Sequence, residues 1–394
     1  MPNWLWYTLP WVVVPIVLAW RSRGASQLAQ YAPDLPSGAA GAERHAGAPL
    51  VSIVVPARNE ARNIERCVRS ILTTTWPNVE VLVVDDHSAD GTGAIARQIA
   101  AEDARVTVLD APPLPDGWFG KQWACHTAVQ QARGDLLLFT DADTRHTPEL
   151  LARALTALRA RGADMLSVMG TQEMGTFWER LLMPQVFVLI LSRYGNTERM
   201  SRSTRPLDKI ANGQFFLVRR PSYEAMGGHE AVRGHVAEDL RIAQEVCRAG
   251  GSVQFVEGLE YLSTRMYEGL GELMRGWGKN VYAGGRDTLA LGAVGQTVLR
   301  LVFPVPALCN VLPFVLGLVA LAGLLPPDML WWAAACYAAA TLFWAVVYAV
   351  QRVSPMYGLL HPFAGALLAV LFARAAWRGS RVEWKGREYR SVSP

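Results

Sequence analysis

The sequence predicts an α/β fold, a mostly parallel sheet with helices on both faces, carried between transmembrane helices at the N- and C-terminal ends of the chain. Three observations predict it. Between about Leu50 and Arg286, short apolar runs alternate with helical stretches, the rhythm of parallel strands joined by crossover helices. The flanks differ: Trp4 to Trp20 is free of charge, and apolar segments fill about Val298–Leu325, Met329–Val350 and Met356–Ala376, each long enough for a bilayer core. Third, the run Leu136-Leu-Leu-Phe139 empties into Asp141-Ala-Asp143, which sets two carboxylates at one strand end. That edge is where open α/β sheets bind ligands.

The elements follow in order. Val51–Val55 is a buried strand, followed by a helix from Asn59 to about Thr74; Val79–Val84 is the next strand, with a helix from about Gly91 to Glu102. Val106–Leu109 is a third strand, and a Pro-rich loop leads to a helix from Gln122 to Arg133. Asp135–Thr140 is the fourth strand, a helix opened by Pro148 comes next, and Met165–Met169 is the fifth. After Gly170 the rhythm breaks. Phe177–Leu191 is apolar but short for a span, and reads as an interfacial helix with Trp178 and Arg180 at the headgroup level; a buried core helix is the other reading. Phe215–Val218 and Val253–Val256 are strands around a helix at Glu238–Arg248, and Leu270–Tyr282 is helical.

Composition bounds the rest. Over 394 residues the chain is 51% hydrophobic, with a mean hydropathy of +0.15, above an ordinary soluble domain. A net charge of only +4 and no basic stripe interleaved with aromatics argue against nucleic acid as partner. The five cysteines are scattered without a Cys-x-x-Cys, which excludes a disulfide framework and a zinc knuckle and fits a reducing compartment. No basic residue opens the N-terminal apolar stretch, and Arg21 and Arg23 follow it, the flanks of an anchor rather than of a cleaved leader.

The expected organisation is an anchor over 1–22, a linker rich in Ala, Gly and Pro over 23–49, and a cytoplasmic α/β domain over 50–290. Membrane segments over 291–378 and a basic tail over 379–394 complete it. Three crossings in the third part would place that tail outside, yet its Arg and Lys residues belong inside. One segment is then re-entrant or interfacial, with Phe303–Ala307 and His361-Pro362 as the candidates.

Four motifs line up at the carboxyl edges of the strands: Pro56-Ala-Arg-Asn-Glu60, Asp85-Asp-His-Ser-Ala-Asp-Gly-Thr92, Asp141-Ala-Asp143, and Ala237-Glu-Asp-Leu240 opening a helix. Hard oxygen ligands at Asp141 and Asp143 suit a divalent cation such as Mg or Mn, which keeps waters and takes phosphate oxygens. Asp85 and Asp86 also have an ordinary reading as turn and N-cap residues, and Glu238 and Asp239 as partners of a helix dipole. A lysine in a Gly- and Pro-rich loop, like Lys121, is ordinarily just solvated.

Together these motifs resemble the family 2 glycosyltransferases of GT-A fold, over about Val51 to Asn280. The chain is most similar to membrane-bound members acting on polyisoprenoid or other lipid acceptors, such as the carotenoid- and hopanoid-associated enzymes. The phrases Gly117-Trp-Phe-Gly-Lys-Gln-Trp-Ala124, Gly227-Gly-His229, Arg265-Met-Tyr267, Gly276-Trp277 and Trp384-Lys-Gly-Arg-Glu-Tyr389 carry that likeness. The resemblance implies that Pro56, Ala57, Arg58, Glu60, Asp85 and Asp86 line the nucleoside of a nucleotide-sugar, and that Lys121 contacts the nucleotide. It implies Asp143 as metal ligand, with Asp141 on the metal or the ribose, and Asp239 as general base, with Glu238 the alternative. It favours a UDP-sugar over a GDP-sugar as donor and a membrane lipid as acceptor.

Polymer-making relatives carry Gln-x-x-Arg-Trp after the base. Here Glu272-Leu-Met-Arg275-Gly-Trp277 has one residue more between Arg and Trp. Arg275 is the counterpart for a phosphate, and Trp277, with Trp178, for the acceptor. The expectation is an inverting, metal-dependent transfer of one sugar to a lipid; a processive polysaccharide synthase and a catalytically silent nucleotide-binding scaffold are the alternatives.

Overall fold

The computed structural model describes residues 4–34, 48–278, 298, 304–378, 381–384 and 387–390. The chain divides into two compact units: an α/β unit of Ala25–Glu173, Thr197–Met266 and Ser380–Pro394, and a helical unit of Met1–Gly24, Met174–Asn196 and Tyr267–Gly379.

The α/β unit is built on a seven-stranded sheet. Its strands in chain order are β1 (Val51–Ala57), β2 (Val79–Asp85), β3 (Val106–Asp110), β4 (Leu136–Phe139), β6 (Met165–Met169), β8 (Phe216–Arg219) and β9 (Val253–Glu257). They lie in the order β3-β2-β1-β4-β8-β6-β9. The period of two along a strand divides the core. Val51, Ile53, Val55, Val81, Val83 and Leu138 join one apolar layer, while Val54, Leu82, Val84, Leu137 and Phe139 join the layer on the other face. Burial on both faces is why these strands read as unbroken apolar runs. Each large aliphatic side chain removed from water stabilises the fold by about 1.5–3 kcal/mol.

One strand departs from the parallel expectation. β8 runs antiparallel to β4 and to β6, pairing Phe216 with Phe139 and with Ser167. Its start therefore lies at the carboxyl end of β4, and the loop before it, Ala211–Phe215, comes to the ligand-binding edge. A three-stranded sheet of β5 (Thr144–His146), β10 (Leu262–Thr264) and β7 (Thr171–Gln172) forms just after Asp143. Strands of two or three residues leave no periodicity to read.

Helix starts also differ from expectation, for local reasons. The first crossover helix begins at Ile64 rather than Asn59, because Asn59 sits at φ 52° and Glu60 closes a turn that accepts from Asn63 N at 2.8 Å. Asn tolerates that left-handed conformation where β-branched residues do not. The next begins at Thr92 after Gly91 at φ 93°, a position that favours glycine. The helix expected from Gln122 begins at Gly120. Within the expected linker, Leu28 is fully buried and Gln27 pairs with Glu257.

In the helical unit, Pro327–Val350 and Pro355–Trp377 are long and apolar enough to cross a membrane, with mean hydropathies of 1.8 and 1.7. Thr8–Arg21 and Val305–Leu321 are apolar but shorter. The Phe177–Tyr194 helix opens on a capping box of Thr176 and Glu179 and buries Leu181 to Val186. Tyr348 donates to the Leu181 carbonyl at 2.7 Å, and Trp344 to Asn310 Oδ1 at 3.0 Å. Residues 270–278 are helical; the expected continuation to Tyr282 and the start of the Val298–Leu325 segment lie outside the described residues.

Leu138 is fully buried on β4 directly before the acidic turn. Leu138→Ala is expected to cost about 2–5 kcal/mol and to lower the thermal midpoint of the purified protein followed by near-ultraviolet circular dichroism. An unchanged midpoint would remove Leu138 from the load of the core.

Candidate active site

The acidic turn after β4 is fixed from three sides. Thr144 Oγ1 donates to Asp141 O at 2.8 Å, closing a local turn, and Thr264 Oγ1 on β10 reaches Asp143 O at 3.3 Å. Below it, Thr140 Oγ1 donates to Gln214 O at 2.7 Å, which ties the turn to the loop before β8. His146 is buried beside Thr140 and Thr144, and burial pushes its pKa down to about 3, so it stays a neutral structural ring.

Lys121 stands at the centre. It lies one residue into the Gly120–Gln131 helix, and its Nζ is 2.6 Å from Asp141 Oδ1 and 2.6 Å from Glu238 Oε1. Gln122, next in sequence, donates to His235 O at 2.5 Å and so anchors this helix to the segment leading into Glu238. Burial alone would drive the ammonium towards neutrality. The charges of Asp141, Glu238 and Asp239 outweigh it and hold the Lys121 pKa well above the ordinary lysine value.

Asp239 is held differently. The backbone N–H of Gly213 donates to its Oδ2 at 2.7 Å, and that of Leu240 to its Oδ1 at 2.7 Å. Burial and the neighbouring Glu238 push its pKa up to about 6, against the pull of Lys121 and the two N–H groups. A carboxyl of that basicity is mostly ionised at neutral pH yet can take a proton. Asp143 is pushed higher, to about 7, by burial, then Asp141 and Glu60.

Asp143 Oδ1 is buried with no hydrogen-bond partner among the described residues. An orphan carboxylate oxygen beside a second carboxylate fits a hard divalent cation, and Asp141 and Asp143 would be its protein ligands. Among the described residues no cluster of three or more His, Cys, Asp or Glu forms a fuller cage. Two carboxylates leave the remaining positions to water and phosphate, the manner of Mg or Mn.

A second group gathers at the ends of β1 and β2. Pro56 pairs with Val84, and Ala57 with Asp85. Arg58 Nη1 donates to the Asp86 backbone oxygen at 2.6 Å and lies 3.7 Å from its carboxylate. Asp85 and Asp86 are both buried. Asp85 Oδ1 accepts from Ser88 N at 3.2 Å, ordinary turn chemistry, whereas the Asp86 carboxylate lies against Arg58, His87 and Arg387. Glu60 N donates to Thr92 Oγ1 at 2.8 Å, and Glu60 Oε2 accepts from Asn63 Nδ2 at 3.0 Å.

Trp178, Arg275 and Trp277 belong to the helical unit and not to this cluster. Trp277 is buried and its indole N–H points at Met183 Sδ, 3.0 Å away. Arg275 is exposed on a groove of about 360 Å³ lined by Leu270, Met274, Leu371 and Arg374.

Sequence reasoning missed Gly213 and Cys67. A Cβ on Gly213 would meet Lys121 Nζ at 2.8 Å and carboxylate oxygens of Asp141 and Asp239 at 3.3 Å, so a side chain there would have to displace the ammonium from its place in the cluster. No signal beyond an Asn-Gly pair before a strand marks it. The Cys67 thiol lies 3.5 Å from Asp141 O, and burial pushes its pKa up to about 12, which makes it inert packing under the turn.

Known proteins resemble this chain in sequence and in fold. Residues 52–227 match the model of glycosyl transferase family 2. A 4,4'-diaponeurosporenoate glycosyltransferase of Staphylococcus aureus (strain USA300) is 27% identical over 356 residues, covering 86% of this chain and 88% of its own. The protein of the same description from strain MRSA252 is 26% identical over 352 residues, with the same coverage. A mannosyltransferase from Pyrobaculum calidifontis, solved in complex with GDP-Man and Mn2+, shares the fold. Its TM-score is 0.56 at 20% identity, over 95% of this chain and 97% of that one.

Gly213→Ala drives a methyl group into the Lys121 cluster without touching the apolar core. It is expected to lower turnover by about 10²-fold or more, as displacement of aligned reacting groups does, while the thermal midpoint stays near that of the wild type. Full activity in a melt-and-turnover comparison would show that the cluster has slack.

Proposed function

Since this chain is a glycosyltransferase with a family 2 domain of GT-A fold, we propose that it moves a single sugar from a nucleotide-sugar to a membrane lipid with inversion. The observation that carries the reading is the Lys121 cluster, which sets one ammonium among Asp141, Glu238 and Asp239 at the carboxyl edge of the sheet. Pro56, Ala57, Arg58, Glu60, Asp85 and Asp86 line the nucleoside. Lys121 attracts the diphosphate and turns to it as the donor arrives. A divalent cation held by Asp141 and Asp143 would screen the diphosphate and stabilise it as leaving group.

Asp239 is the base. In an inverting transfer the acceptor oxygen attacks C1 opposite the departing diphosphate, and an alcohol must lose its proton as the bond forms. Both Asp239 oxygens are aimed by backbone N–H groups and each keeps a free lone pair for that proton. Glu238 holds Lys121 in place.

The acceptor class rests on the S. aureus relatives, whose name places a carotenoid acid as substrate. A carotenoid-type or other polyisoprenoid lipid, joined through a hydroxyl or carboxyl, fits the apolar composition of the helical unit. UDP-sugars are the favoured donors by the family resemblance; the Pyrobaculum enzyme is the counterexample, with GDP-Man. Pro327–Val350 and Pro355–Trp377 support residence in a membrane, with the α/β unit facing the cytoplasm. Trp178, Trp277 and Arg275 serve the lipid side.

The test is nucleoside diphosphate release by detergent-purified protein, with Mg or Mn and a panel of UDP- and GDP-sugars, with and without polyisoprenoid lipid. Lipid-stimulated release with one donor supports the proposal; none with any donor, from protein that binds nucleotide, refutes it.

Two variants sharpen it. With an alcohol acceptor, Asp239→Asn should lower kcat by about 10²–10⁴-fold and leave nucleotide binding by calorimetry unchanged. With a carboxylate acceptor, already ionised, the loss should be smaller. Because a base works deprotonated, wild-type kcat/KM should rise with pH through about 6 and fall below it. A flat profile between pH 5 and 8 in the alcohol reaction would remove Asp239 from the step. Asp143→Ala should abolish stimulation by Mn, read as release against metal concentration; stimulation of wild-type size would move the cation elsewhere.

A further inference from the structure

The motif Trp384-Lys-Gly-Arg-Glu-Tyr389 has no part in the chemistry above, and a basic C-terminal tail would ordinarily be a solvated or lipid-facing extension. The structure gives it another place. β11 (Arg381–Trp384) and β12 (Arg387–Arg390) pair antiparallel, from Arg381 opposite Arg390 to Trp384 opposite Arg387. They belong to the α/β unit.

Arg387 Nη1 lies 3.0 Å from Asp86 Oδ1 and 2.7 Å from Asp86 Oδ2. The Arg387 side chain is 24% exposed and that of Asp86 is 3% exposed. An arginine presented to lipid headgroups would not spend its Nη1 on a buried carboxylate. Two residues on, the Tyr389 ring stacks on Phe119 with centroids 4.4 Å apart at 15°. Phe119 immediately precedes Gly120, where a Cβ would lie 2.5 Å from Asp86 Oδ2, 3.1 Å from Arg387 Nη1 and 3.3 Å from Tyr389 Oη. Side chain, stack and glycine form one close-packed joint between the hairpin, the start of the Lys121 helix and Asp86.

We propose that Arg387 is a positioning residue for donor recognition: it holds the Asp86 carboxylate in the orientation that accepts a hydrogen bond from the nucleoside, and the hairpin is one wall of the nucleoside pocket. This rests on the reading of Asp86 as a nucleoside contact. A carboxylate has about four lone-pair sites. Arg387 takes one on each oxygen, the His87 ring nitrogen Nδ1 lies 3.2 Å from Oδ1, and Arg58 spends its short bond on the backbone oxygen, so an outer lone pair of Oδ2 stays available to a ribose hydroxyl or base N–H. Without Arg387 the carboxylate keeps the half-exposed His87 ring at 3.2 Å on one oxygen and Arg58 at 3.7 Å from the other, a distance that fixes no direction, and no single group spans both oxygens.

The experiment is calorimetric binding of UDP, GDP and inorganic pyrophosphate, with Mn, to the full-length protein and to Arg387→Ala, Arg387→Gln, Arg387→Lys, Asp86→Ala and the Arg387→Ala/Asp86→Ala double variant. Arg387→Ala is expected to weaken the preferred nucleoside diphosphate about tenfold and to leave pyrophosphate unchanged. Arg387→Lys recovers part of the loss, and the double variant binds no worse than Asp86→Ala alone, because the two side chains act as one unit. In turnover, KM for the donor rises and kcat holds. Wild-type nucleotide binding by Arg387→Ala overturns the inference, as does an additive double variant or an equal loss of pyrophosphate, the mark of general damage. Arg387→Gln decides the same points should the alanine variant fail to fold. A wild type that binds no nucleoside diphosphate overturns this inference together with the reading of Asp86; a wild type that binds, matched by its Arg387 variants, overturns this inference alone.

Discussion

One ammonium balances the acidic edge of this sheet. Lys121 is the cation that contacts Asp141 and Glu238 and offsets Asp239, with Asp143 and Glu60 adding further negative charge nearby. Buried carboxylates without such a partner bind protons instead of ligands, and Asp143, more remote from the ammonium, already tends that way. The rest of the site is arranged around keeping Lys121 in reach: a helix that begins at Gly120, a side-chain bond from Gln122 to the His235 carbonyl, and a glycine at 213 that lets two carboxylate oxygens and the ammonium nitrogen converge. The same arrangement leaves a net negative site, which is the electrostatic condition for recruiting a dication together with a diphosphate.

The antiparallel strand β8 makes that convergence possible. A wholly parallel sheet delivers only loops that follow strands to its carboxyl edge. Reversing one strand between β4 and β6 delivers a loop that precedes a strand, and with it the Gly213 N–H that aims Asp239. The short sheet of β5, β10 and β7 then clamps the far side of the acidic turn. Fold and charge arrangement are thus the same fact seen at two scales.

Much of this was legible in the residues. The apolar runs at Val51, Val79, Val106, Leu136 and Met165 announced strands because a sheet covered on both faces tolerates no polar alternation, and carboxylates at the ends of such runs are conspicuous against that background. Pairing direction was not legible, since Phe216–Arg219 looks the same whichever way it runs. Gly213 carries no side chain to notice; its role is visible only as space. Arg387 lay in a phrase noticed for its likeness to a family, but its contact with Asp86 spans 301 positions of chain, and nothing local in the sequence encodes a pairing that remote. Helix starts shifted by a few residues where Asn59 and Gly91 took left-handed backbone, a property of turns that hydrophobic periodicity does not sense.

The α/β unit is assembled from three stretches of chain, and the last of them, Ser380–Pro394, returns to it after the whole run Tyr267–Gly379 has been spent in the helical unit. Parts of one folded body occupy one compartment. In a chain that enters a bilayer, the number of crossings between Met266 and Ser380 is therefore even, and so is the number between Glu173 and Thr197. An even count, two crossings or none, would reconcile the three apolar segments with a basic tail. In such a chain Arg387 would lie on the same side of the bilayer as the acidic edge, because β12 is tethered there through Asp86, and an ion pair, as well as the charges flanking the helices, would then constrain orientation.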